Sequence, residues 1–181
     1  MVDVIKIDKI KQKDIIKRIK FGDIFIYPTD TGYYLGCNAL KSGSISIIKQ
    51  IIKTPLSIIA PNKQWITKNF EIINKNHIKK LPGPYTYILK SKKRPVARNV
   101  NPGENKFRIK IPEHNIHKII KSANIPIIKA NINQKRPTTS IKQIPWKVSR
   151  ITDLILDEGK LIKRPSSIID LTTEIPLIIR G

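Results

Sequence analysis

The chain has 181 residues and carries 35 Lys and Arg against 13 Asp and Glu, a formal charge of 35 − 13 = +22 at pH 7, with a single cysteine. One cysteine excludes a disulfide framework and a multi-cysteine zinc site, and no apolar run reaches the ~18 residues of a membrane-spanning helix. The expectation is a soluble, cytoplasmic protein without a membrane partner, one domain over 1–181 that is long enough to bury a core of its own. The charge is uneven: positions 31–103 hold thirteen Lys or Arg against one acid, Glu71, and positions 114–152 hold eight against none. Two such stretches predict a continuous positive field and an anionic partner, nucleic acid or some other anion. The 39 Ile and 27 Lys also fit a coding bias toward AT-rich codons, a second source of charge.

In chain order, residues 4–7 read as a short strand. A helix starts at Asp8 or Asp14, keeps Ile10, Ile15, Ile16 and Ile19 at helical spacing, and ends at Gly22. Residues 24–27 form a buried strand, and the polar, glycine-bearing run that follows reads as a loop. Ser42 or Ser44 opens a helix carrying Ile45, Ile48 and Ile52, which Pro55 stops. Residues 56–60 are the next strand and 62–80 one or two weak helices. Pro82-Gly83-Pro84 breaks these before an alternating strand over 85–90. The loop at 91–105, rich in Pro, Gly, Asn and Lys, is the best candidate for a mobile segment. Residues 106–111 alternate, 113–123 form a helix and 126–130 a strand; after a polar loop, Thr139 or Ser140 caps a short helix. Runs at 151–156, 167–171 and 177–180 are three more strands. Strands alternating with helices, then gathering at the end, predict an α/β fold with a mixed sheet covered by helices.

Open α/β sheets keep ligand sites where strands end. The first such stretch is Tyr27-Pro28-Thr29-Asp30-Thr31-Gly32, continuing to Gly36. Two hydroxyls and two glycines after a buried strand bring donors close to a small polar ligand, or simply cap a tight turn. Neither glycine-rich phosphate loop, G-x-x-x-x-G-K-[ST] or G-x-G-x-x-G, occurs in the chain. Leu81-Pro82-Gly83-Pro84-Tyr85-Thr86 reads as a rigid turn. Lys129-Ala130-Asn131 ends a strand and leads into the basic loop Gln134-Lys135-Arg136-Pro137-Thr138-Thr139; Arg164-Pro165-Ser166-Ser167 and Arg180 complete the set. His114 and His117 have metal-pair spacing but no third ligand nearby, so a solvated helix face is expected. Cys37 reads as a small buried filler, and Trp65 and Trp146 as packing groups.

In this order the runs IYPTDTGYYLGCNAL, PLSII, LPGPYTYIL, RIKIPEH, PIIKAN with RPTTS, LILDEG, PSSIIDLT and LIIRG resemble the YrdC-like threonylcarbamoyl-AMP synthase family, from residue 15 to the end. The resemblance implies a single YrdC-like domain: a twisted mixed sheet flanked by helices around a positively charged concave surface, without an appended C-terminal domain. It implies a nucleotidyltransferase that condenses L-threonine, bicarbonate and ATP into threonylcarbamoyl-adenylate and pyrophosphate, for the threonylcarbamoyladenosine modification of tRNA. A downstream tRNA threonylcarbamoyltransferase is the implied protein partner. Such chemistry needs orientation and charge neutralisation more than a protein nucleophile, and Mg²⁺ held by ATP and water needs no carboxylate cage.

By position, the family's threonine-binding residues fall on Thr31 and Ser166, and its ATP-binding residues on Asn131, Thr139 and Arg180. Three departures stand beside these. The family's Lys-x-Arg-Pro loop is shortened to Lys53-Thr54-Pro55, which leaves Lys53, or else Lys49, for the lysine and nothing for the arginine. Lys110 stands where the family has arginine before I-P, with Arg108 on the same strand face, and Lys129 stands where it has serine. Lys53, Lys110 and Lys129 are the cationic candidates for catalysis, Lys110 also for threonine and Lys53 also for ATP. Lysine cannot reproduce arginine's bidentate fork, and Lys129 either adds a cation to the phosphate site or blocks it. The competing expectation is a catalytically weakened or inactive YrdC-like RNA-binding protein. A third is a carbamoyl-transfer module like that inside hydrogenase-maturation proteins.

Overall fold

The computed structural model describes residues 2–133, 136–161 and 165–180; Gln134, Lys135 and Arg164 of the loops named above lie outside them. Ten strands form a mixed sheet. In spatial order they are β1 (Asp3–Lys6), β8 (Leu154–Asp157), β2 (Phe25–Thr29), β3 (Gly32–Gly36), β7 (Ile127–Asn131), β4 (Ser57–Ile59), β6 (Lys106–Lys110), β5 (Tyr85–Lys90), β9 (Ser167–Asp170) and β10 (Leu177–Arg180). The β1–β8, β8–β2, β4–β6 and β5–β9 pairs are parallel and the remaining neighbours antiparallel.

Isoleucine-rich runs make these strands because a β-branched side chain packs well on a pleated, buried surface. One face of the sheet carries Leu35, Ile58, Tyr87, Phe107, Ile109 and Ile128 against α2 (Ser42–Ile51) and α3 (Lys63–Asn69), which contribute Ile45, Ile48 and Ile66. The other face packs Phe25, Tyr27, Ile59, Ile127, Leu154 and Leu156 against α1 (Gln12–Phe21) and α5 (Ile116–Ala123), through Ile15, Ile19, Ile116 and Ile120. This second apolar cluster reaches no strand beyond β4. There the same face turns cationic: the register sets Lys129 of β7, Ser57 of β4 and Arg108 of β6 side by side, with Lys110 one pleat further along. No helix among the described residues is long and apolar enough to cross a membrane.

Two local expectations are corrected. The run after β2 is not all loop: Gly32–Gly36 is β3, a fully buried strand that pairs with β2 across the two-residue connection Asp30-Thr31. Its flanking glycines suggest a loop, yet Gly36 is a packing glycine, since a Cβ there would collide with the Ile128 carbonyl and lie 2.7 Å from Tyr27 Cε1. The irregular 91–105 segment is anchored: Val96 and Val100 are each only 5% exposed, and Arg94 donates to the carbonyls of Arg98, Asn101 and Glu104. The 62–80 region divides into α3 and α4 (Lys75–Lys79), and Ser140 caps a 3₁₀ turn over Ile141–Gln143 by accepting the Lys142 N–H. Gly22 ends α1 in the left-handed region, as its sequence position predicts.

Gly36→Ala is expected to destabilise the protein by about 1–3 kcal/mol through overpacking. Urea unfolding checks this; an unchanged midpoint would show that the β3–β7 approach relaxes freely.

Candidate functional site

The Asp30-Thr31 turn holds its shape through hydroxyls. Thr29 Oγ1 donates to the Gly32 carbonyl (3.0 Å) and accepts the Thr31 N–H (3.1 Å). The Tyr34 hydroxyl lies 3.0 Å from Thr31 Oγ1 and 3.2 Å from the Thr31 carbonyl. The turn aims Asp30 at Lys110, a fully buried lysine whose ammonium stands 3.0 Å from Asp30 Oδ1, 3.1 Å from Oδ2 and 3.5 Å from Thr31 Oγ1.

Lys129 is 6% exposed, with its ammonium 3.7 Å from the centroid of the Tyr34 ring. From the edge strand β10, Arg180 donates through Nε (3.2 Å) and Nη2 (2.7 Å) to the Ser166 carbonyl. Buried Ser166 shares a hydrogen bond of 3.0 Å with the Thr86 hydroxyl of β5. Arg108, Lys110, Lys129 and Arg180 thus gather near one carboxylate, Asp30. Burial pushes Lys129 well below the usual lysine range, and Lys110, Arg180 and Arg108 push the same way against Asp30. Lys110 is also lowered by burial, with Asp30 opposing. Burial and Arg180 lower Arg108, and burial raises the Tyr34 phenol against its hydrogen bond with Thr31.

Asn131 lies opposite Tyr34 in the β3–β7 register and lines a small cavity of about 80 Å³ with Tyr34, Asn133, Thr138 and Arg180. Of the residues expected from sequence, Thr31, Lys110, Lys129, Asn131, Ser166 and Arg180 converge on this region. Thr139 does not line that cavity: its N–H and hydroxyl both turn to Gln143 Oε1, at 2.8 and 3.4 Å, while neighbouring Thr138 bridges to Tyr33. Lys53 donates to the Lys49 carbonyl (3.0 Å) and lines a separate cavity of about 650 Å³, which borders the cluster through Arg108.

Sequence reasoning missed Asp30, Tyr34 and Thr86 as parts of the site. Asp30 had a signal, being the last acid before the acid-poor stretch. Tyr34 becomes visible only once β3 is known to be a strand. The two histidines do not form a pair: His114 contacts Glu158 (2.8 Å) and His117 the Ala60 and Pro61 carbonyls. Among the described residues no group of three His, Cys, Asp or Glu could hold a metal ion. Asp30, tied to Lys110, leaves the cluster fitted to a divalent ion only as one that arrives with its own anionic ligands. Cys37 is fully buried, with its thiol pushed up to about 12 by burial, and Trp146 is an exposed surface residue under Arg150.

A family model described as Sua5_yciO_yrdC, Telomere recombination, matches residues 17–181. A protein of Methanocaldococcus jannaschii named putative threonylcarbamoyl-AMP synthase is 29% identical over 98% of this chain and 91% of its own length. The Escherichia coli protein YciO, which carries no assigned activity in its name, is 23% identical over 91% of this chain and 85% of its own; its crystal structure superposes with a TM-score of 0.85 at 21% identity, covering 100% of this chain and 95% of that one. Sua5 of Pyrococcus abyssi superposes with a TM-score of 0.87 at 25% identity, where this chain spans 60% of that longer chain. The same protein complexed with L-threonine gives a TM-score of 0.81 at 26% identity, with 99% of this chain and 57% of that chain covered.

Asp30→Asn removes the counter-charge of a buried ammonium and is expected to cost about 3–5 kcal/mol. Added pyrophosphate should restore part of the loss by supplying the missing negative charge. Thermal unfolding with and without pyrophosphate reads both effects; a neutral substitution would show that Asp30 does not hold the cation cluster.

Proposed function

The chain belongs to the Sua5/YciO/YrdC family, and from that premise we propose that it is a threonylcarbamoyl-AMP synthase, a nucleotidyltransferase serving tRNA modification in the cytoplasm. The observation that carries this reading is the convergence of hydroxyls and cations on one turn: Thr31 and Lys110 beside Asp30, with Lys129 and Arg180 completing the ring. The name of the Methanocaldococcus relative and the L-threonine complex of Pyrococcus Sua5 support it.

In this reading Thr31, Ser166 and Lys110 hold L-threonine by its hydroxyl, amine and carboxylate. The threonine nitrogen attacks the carbon of bicarbonate and, with loss of water, becomes a carbamate. A carbamate oxygen then attacks the α-phosphorus of ATP; the bond to the oxygen bridging to the β-phosphate breaks, and pyrophosphate leaves with the electron pair. Asn131 and Arg180 orient the nucleotide, and Lys129 with Arg108 offsets the charge that builds on the leaving pyrophosphate. Mg²⁺ arriving with ATP supplies further neutralisation, held by phosphates and water. Lys53 and Thr139, which stand outside the cluster, are given no step.

One observation favours the second reading, a weakened RNA-binding relative: a lysine occupies the position of the family's serine while the phosphate loop lacks its arginine. Incubation with ATP, Mg²⁺, threonine and bicarbonate decides between them. The synthase reading expects threonine-dependent pyrophosphate release, with kcat/KM lowered about tenfold or more by Thr31→Ala and by Asn131→Ala. No product from folded protein would overturn it. The RNA-binding reading expects instead tRNA affinity that falls steeply with salt, as phosphate contacts require.

A further inference from the structure

Lys129 is the fully buried member of the cation cluster that receives no hydrogen bond or ion pair among the described residues; Arg108 makes none either, but it is only half-buried. Asp30 is held by Lys110, which donates to Oδ2 at 3.1 Å and stands 3.0 Å from Oδ1 in an ion pair that leaves Oδ1 without a hydrogen bond, and Arg180 donates to the Ser166 carbonyl. Among the described residues the Lys129 ammonium makes no hydrogen bond or ion pair, and its close neighbour is the face of Tyr34. The charged groups around it are Asp30 from the β2–β3 turn, Lys110 and Arg108 from β6 and Arg180 from β10, three cations against one carboxylate. An aromatic face returns less than the desolvation of a buried ammonium costs. An amine kept in such a place either gives up its proton or gains an anion from outside.

We propose that Lys129 is an oxyanion anchor, binding a phosphate oxygen of a polyphosphate ligand, and that the ligand brings a proton into the site. The inference rests on the synthase reading for the identity of the ligand, ATP or the pyrophosphate it releases. A polyphosphate suits the cluster better than bicarbonate does. Four basic groups and one carboxylate leave an excess of 4 − 1 = +3 when all are charged, which several phosphate charges can offset and a single bicarbonate charge cannot. Lysine at this position also changes what a serine would do: it adds a mobile point charge where a hydroxyl offers only a short-range hydrogen bond.

Proton linkage follows from the burial that lowers Lys129. Without ligand the ammonium gives up its proton more readily than an exposed lysine. A bound phosphate favours the charged form, so the site takes up a proton as it fills. The sign for stability is the same: a lysine lowered by folding costs stability below its folded pKa. That cost fades as pH rises toward the unfolded value of about 10.4.

The test is calorimetric titration of the full chain with inorganic pyrophosphate, ATP and bicarbonate, in two mildly alkaline buffers of different ionisation enthalpy. Wild type should take up protons with pyrophosphate and with ATP but not with bicarbonate. Lys129→Met and Lys129→Ser should lose that uptake and bind pyrophosphate about tenfold or more weakly. Lys129→Met should also unfold at a higher temperature than ligand-free wild type, by a margin that narrows as pH rises. Equal affinity and equal proton uptake in wild type and both variants, or uptake with bicarbonate alone, would overturn the anchor. Pyrophosphate binding of the expected kind without turnover would remove the synthase and leave the anchor; turnover with Lys129-independent binding would do the reverse.

Discussion

Burying the ammonium of Lys110 on an interior strand requires a carboxylate within hydrogen-bond reach, and Asp30 supplies it from a turn eighty residues earlier in the chain. Much of the site follows from that pair. Asp30 can reach β6 only because β2 and β3 close over two residues, and the closure depends on the Thr29 hydroxyl and on Gly32. Gly32 has a positive φ, and a Cβ there would stand 3.0 Å from the Thr138 carbonyl. Tyr33 then accepts the next segment, its N–H donating to that same carbonyl at 2.7 Å. This draws the 136–138 segment over the hairpin and forms the small cavity beside Asn131 and Arg180.

The sheet divides its second face between two tasks. From β1 to β4 the face is apolar and covered by α1 and α5, which supplies hydrophobic stabilisation. Beyond β4 the same pleat carries Arg108, Lys110 and Arg180, with Lys129 at the border. Packing on the covered half can offset the electrostatic cost of the open half. The cationic half is therefore a place where stability is given up for ligand binding, and Lys129 is its extreme member.

Much of this was legible in the sequence. Strands such as β5 and β6 follow from alternation alone, and the caps at Gly22 and Ser140 from residue type. The resemblance singled out Thr31, Lys110, Asn131, Ser166 and Arg180, and the fold brings these side chains into one region. What could not be read is pairing across distance. A loop signal from two glycines hid β3 because Gly36 is needed for close approach to β7, a tertiary demand. Asp30 looked like turn chemistry until β6 was set opposite it. Lys129 left two outcomes open because its meaning depends on the absence of a carboxylate of its own, visible only once Asp30 is seen to belong to Lys110.

The +22 charge likewise gains a location for part of itself: four of the 35 basic residues stand around one carboxylate at the strand ends. A crystal structure with L-threonine and a non-hydrolysable ATP analogue tests this most directly. The account predicts threonine against Thr31 and Lys110, with phosphate oxygens within hydrogen-bond distance of both Lys129 and Arg180. Nucleotide bound elsewhere, with Lys129 still facing only the Tyr34 ring, would contradict it.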